Sequence, residues 1–99
     1  MSDRILTLHP DRRKRGINIE KDKYQVIKSA ILDKLAQQQE MKFMELTQSI
    51  ERDLKESFDG SISWYVTTIK LDLEARNEIE RIPDTQPQIL RLPKVEINF

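Results

Sequence analysis

Residues Gly60 to Ile82 read GSISWYVTTIKLDLEARNEIERI, and the fold turns on how that stretch is interpreted. At the helical step of about 100° per residue, Ile62, Val66, Ile69 and Leu73 line one face, with Tyr65 and the stem of Arg76 beside them. Ser63, Thr67, Lys70 and Glu74 fall on another. Ser61 is positioned to cap the start, its hydroxyl accepting from an otherwise orphan N–H of the first turn. The preceding Asp59-Gly60 is a turn pair. Asn77 follows the last helical residues, and asparagine tolerates the left-handed backbone that ends many helices. Ile79-Glu80-Arg81-Ile82 then alternates apolar and polar, as a strand does. The stretch predicts a helix, capped at both ends, that passes within a few residues into a strand.

Upstream, Lys21 to Gln38 predicts a first helix: Tyr24, Ile27, Ile31 and Leu35 recur at three- and four-residue steps, with Val26 and Ala30 widening the stripe. The run Gln37–Gln39 reads as a helix end and loop. Met41-Lys42-Phe43 can supply a short strand. A second helix is then expected to about Ser57, with Phe43, Leu46, Ile50 and Leu54 inward and Phe58 tucked under the following turn. Downstream, Ile79–Ile82 and Ile89–Leu92 flank Pro83-Asp84-Thr85-Gln86-Pro87-Gln88, so a hairpin is predicted with its prolines at the tip, where no ladder bonds are needed. The tail from Lys94 alternates Val95, Ile97 and Phe99 with polar residues. It is expected to pair with the N-terminal strand candidate Arg4–Leu8, with the hairpin, or with a second subunit.

Ninety-nine residues make one modest domain. Charged residues are 34% and hydrophobic ones 37%, polar but not a disordered composition. No cysteine is present, which excludes disulfides and thiolate metal sites. No apolar run approaches the roughly 20 residues of a membrane span, and MSDRILTLHP lacks the apolar core of a secretory signal. A soluble, cytoplasmic protein without membrane contact is expected. Net charge is zero, yet residues 1–20 hold five basic and three acidic groups while the remainder is slightly acidic. Attraction to phosphate must therefore be local, centred on Arg12, Arg13, Lys14 and Arg15. That run reads either as a solvated arm or as an arm lying along a phosphate backbone or minor groove.

The order helix, short strand, helix, helix, strand, wing is that of a winged helix-turn-helix. The expected class is α+β, mostly helical: three helices plus a small antiparallel β-wing, with strand-like extensions at both ends. The division is residues 1–20 as an extension with a basic arm, 21–92 as the winged-helix domain and 93–99 as a tail. VTTIKLDLEARNEIER resembles the V-x-x-L-x-x-x-L-E-x-x-G-x-I-x-R stretch of many winged-helix transcription regulators. Val66, Ile69, Leu73, Glu74, Ile79 and Arg81 match it, with Asn77 at the usual glycine. With His9-Pro10-Asp11, the Tyr24 helix and QPQILRL, it resembles an uncharacterised family of small winged-helix domains. Arg12–Arg15 and Glu20 depart from that pattern.

One histidine, no cysteine and glycines only at 16 and 60 leave no catalytic triad, zinc site or nucleotide cradle. No catalytic residue, metal ligand or cofactor is expected, and the chain does not read as an enzyme. Asp72 and Glu74, two apart, fall on different faces and read as a solvated charged surface. His9 reads as a loop residue bonding locally. What remains is binding. As a DNA-binding transcription regulator, the third helix would enter the major groove, with Ser63, Thr67, Thr68 and Lys70 facing the duplex and Arg12–Arg15 on phosphates. As a protein-interaction module, the chain would use the near-neutral third helix and a wing tip without lysine or arginine. Trp64 and Leu71, on the side away from the core, together with Val95, Ile97 and Phe99, are expected to be covered by the leader, the tail or a second copy in a homodimer.

Overall fold

A computed structural model describes residues 3–94. Three helices and two small antiparallel sheets make an α+β fold in the order β1 (Arg4–Leu6), β2 (Asn18–Glu20), α1 (Lys21–Gln38), β3 (Glu40–Lys42), α2 (Phe43–Leu54), α3 (Ile62–Ala75), β4 (Glu80–Arg81) and β5 (Ile89–Arg91).

The helices follow their apolar stripes. Tyr24, Ile27, Ile31 and Leu35 of α1 meet Leu46 and Ile50 of α2 and Ile62, Val66, Ile69 and Leu73 of α3 in one core. Ile19, Ile79 and Leu90 close it from the strands. Ser61 caps α3 as expected, accepting from the Trp64 N–H at 3.3 Å. Gly60 before it has φ 123°, a backbone that side chains rarely adopt. Asn77 ends the helix at φ 62°. By contrast Glu20 and Lys42, the residues just before α1 and α2, make no side-chain cap. Helix α2 also stops at Leu54, short of the expected Ser57, and Lys55–Ser57 form a turn. Phe43 opens that helix and does not belong to the strand before it.

Strand β5 lies between β3 and β4, with Met41 opposite Leu90 and Glu80 opposite Arg91. The β4–β5 hairpin thus joins the strand that precedes α2. The other sheet departs from expectation. Arg4–Leu6 pairs with Asn18–Glu20, a strand that the sequence pattern does not announce, with Ile5 opposite Ile19. The basic run is therefore the tip of a folded hairpin, not a free arm. Residues Val95, Ile97 and Phe99, expected to form a strand or a subunit contact, lie outside the described residues. No helix among the described residues is long and apolar enough to cross a membrane.

Candidate nucleic-acid interface

The outer surface of α3 divides along its length. At the N-terminal half, Ser63, Trp64 and Thr67 are exposed. The Thr67 hydroxyl donates to the Ser63 carbonyl at 2.9 Å, the usual back-bond of threonine in a helix, and leaves its lone pairs outward. Trp64 is 43% exposed, its ring set edge-on to Tyr65 with centroids 4.9 Å apart. At the C-terminal half the leader hairpin covers the helix. Thr68 and Leu71 are half-buried and line a small cavity with Leu8 and Ile17. The expected Trp64-Leu71 face is thus split: the chain's own leader shelters Leu71, and Trp64 stays open.

Lys70 requires a correction. It was expected to face a duplex beside Ser63 and Thr67, yet it is only 6% exposed. Its ammonium pairs with Glu74 one turn on and sits 5.3 Å from the centre of the Phe43 ring. Its position borders the apolar stripe, so α2 closes over it and the side chain is held by an acid and an aromatic face. Among the residues proposed for DNA contact, Lys70 is not at the surface to make one.

Asp72 is the second correction. A solvated acid was expected, and the side chain is 0% exposed. Three donors from three parts of the chain converge on it: the Tyr24 hydroxyl of α1, the Leu8 N–H of the leader at 2.8 Å and Arg76 Nε at 2.9 Å. Burial, then the bond to Asp72, pushes the Tyr24 phenol well above its ordinary value of 10.0. The same carboxylate holds the Arg76 guanidinium more firmly protonated. Arg76 Nη2 also donates to the Leu6 carbonyl at 3.2 Å. A buried charge needs partners of this kind, and here the partners tie the leader to α3. A signal was available in the sequence. Asp72 flanks the stripe one turn from Ile69, and a buried Tyr24 needs an acceptor.

Beyond that tether the leader turns at Asp11, whose carbonyl accepts from the Lys14 N–H at 3.0 Å. His9 Nδ1 accepts from the Asp11 N–H at 3.0 Å, the local role expected of it. Arg13 forks onto the Asp11 carboxylate with both contacts at 3.1 Å, and that hydrogen bonding lowers the acid's pKa. Arg12, Lys14 and Arg15 are exposed and make no ion pair among the described residues. Three free cations are thereby concentrated on one turn docked beside α3. The tip between β4 and β5 holds no lysine or arginine, and β5 Arg91 is taken up by Glu80 at 2.7 Å. No group of three or more His, Cys, Asp or Glu suited to a metal ion occurs among the described residues.

No curated protein and no solved structure matches the chain. A family model does, and it starts inside β1 and ends inside β5, so the leader hairpin with its clamp on Asp72 falls within the matched unit. Over residues 4–90 the chain belongs to a family of unknown function (DUF6958).

Proposed function

We propose that this chain is a winged helix-turn-helix domain that binds duplex DNA, as a transcription regulator would. The open N-terminal half of α3 lies in the major groove and the leader tip on flanking phosphates. The element order from α1 to β5, with β5 between β3 and β4, supports the winged-helix reading. The observation that carries DNA binding is that Arg12, Lys14 and Arg15 stand unpaired among the described residues on a turn docked along the C-terminal half of α3, while Ser63 and Thr67 are exposed on its N-terminal half. Helices of this motif read bases with their N-terminal residues, and that half is the one the leader leaves free. Phosphate contacts supply affinity without sequence information, so the tip holds and the helix reads.

The test is a titration of labelled duplex at about 50 and 200 mM salt. Three phosphate contacts give a log–log salt slope of about −2.7. Replacing Arg12, Arg13, Lys14 and Arg15 with alanine weakens binding to all sequences alike. Thr67→Ala shifts preference among sequences, by about 1–3 kcal/mol at any base it touches. Absence of binding at the lower salt removes this reading. It leaves the protein-interaction module, which the exposed Trp64 and the ion pairs that neutralise the rest of α3 favour.

A further inference from the structure

The leader hairpin does not close flush on the end of α3. Between them lies an open cleft of about 540 Å³, within the range of small-molecule sites. Leu6 and Leu8 line one part of it, and they are 53% and 41% exposed. Arg12 and Lys14 line another, both without an ion-pair partner among the described residues. His9 joins them, with Nδ1 occupied by the Asp11 N–H and Nε2 left to carry the ring's proton. Asn77, at the end of α3, contributes an amide. The one carboxylate in the wall, Glu74, is neutralised by Lys70. The cleft therefore combines an uncovered apolar surface with several donors and no free acid.

We propose that the cleft between the leader hairpin and the C-terminal end of α3 binds a small amphipathic anion, an apolar body bearing a phosphate or carboxylate. The apolar body covers Leu6 and Leu8, and Arg12 and Lys14 hold the charge in charge-assisted hydrogen bonds. Because its walls come from both the leader and α3, an occupant bridges the two. This inference goes beyond the DNA reading and does not depend on it.

Phenyl phosphate is the probe, titrated into the ¹⁵N-labelled full chain without nucleic acid and followed by backbone amide shifts. Saturable shifts are expected at Leu6–His9 and Ala75–Asn77. Benzyl alcohol, which lacks the charge, and inorganic phosphate, which lacks the apolar body, should each bind roughly tenfold more weakly. The double variant Arg12→Gln, Lys14→Gln alters two exposed side chains. It should keep the spectrum of the core and bind phenyl phosphate roughly tenfold more weakly. Equal binding of inorganic phosphate would overturn the proposal, reducing the cleft to a cationic surface that a nucleic-acid backbone would serve as well. Equal binding of benzyl alcohol, shifts confined to other residues, unchanged affinity in the variant, or no saturable shift would each overturn it too.

Discussion

The chain carries two β-hairpins, and they are held by different means. The β4–β5 hairpin is closed by its own loop. Thr85 donates to the Ile82 carbonyl at 2.9 Å and accepts from the Ile89 N–H at 3.3 Å, while Arg81 reaches the Thr85 carbonyl at 3.3 Å. β5 is further paired to β3. The leader hairpin is laddered through β1 and β2, and at its neck Thr7 and Ile17 exchange bonds at 2.9 Å. Asp72 and Arg76 of α3 bind it to the body by side-chain bonds, beside the Ile19 that it sends into the core. The β4–β5 tip carries no lysine or arginine, and the leader tip carries three cations without an ion-pair partner among the described residues. A cationic turn repels itself, so placing it precisely on a surface requires an anchor outside it, and a buried carboxylate is a strong one.

The largest effect should come from breaking that anchor. Asp72→Ala removes the acceptor for Tyr24, Leu8 and Arg76 together, and should cost about 3–5 kcal/mol in urea unfolding. Hydrogen exchange should rise at Leu6 and Leu8 more than in β5. Equal loosening of both hairpins would erase the contrast. Gly16→Ala comes next. A Cβ there would stand 1.4 Å from the Thr7 carbonyl oxygen, so the neck of the leader must open. A cost of about 1–3 kcal/mol is expected, with the wing amides unshifted in NMR.

Alkali tests the same anchor by another route. The Tyr24 phenol is raised above its unfolded value of 10.0, so its contribution is whole below pH 10 and declines as pH rises above it, because the unfolded chain gives up the proton first. Stability should fall there by at most about 1.4 kcal/mol per pH unit, and Tyr24→Phe should flatten that limb of the profile. An unchanged slope in the variant would assign the alkaline loss elsewhere. The smallest effect belongs to the β4–β5 hairpin. Thr85→Val should cost about 1 kcal/mol, the net worth of a hydrogen bond, with exchange faster at Ile89 and unaltered in the leader.

The sequence foretells these regions unequally, and the reason is physical. Helix α1 runs from Lys21 to Gln38 as its Tyr24–Leu35 stripe implies, and the Ser61 and Asn77 ends of α3 are equally legible. Each of those signals is local: an apolar face or a cap is written within one element. Strand β2 is three residues with a single buried isoleucine, too short for any period to register. Asp72 and Lys70 fail as surface residues because their partners lie on other elements or close over them in the tertiary fold. Their i,i+4 partners, Arg76 and Glu74, were visible in the spacing. Of the candidate interface, the exposed hydroxyls and the charges of the tip were readable. That the charges sit on a folded hairpin clamped to α3 was not, because a contact between Leu8 and Asp72 spans 64 residues.

The row that Asp72 and Arg76 present to β1 has a consequence for self-association. An unpaired strand border is a template on which another chain can add. Along β1 the outward-facing carbonyl of Leu6, and the N–H of Leu8 just beyond it, are already engaged by helix side chains. A segment such as the tail, arriving to extend the leader sheet on that side, would have to displace a buried carboxylate from its donors. The border that two leucines and an isoleucine would otherwise make adhesive is sealed by an acid and a base from a helix. Strand addition to the leader, by the chain's own end or by a neighbour's, is thereby steered to the β2 side.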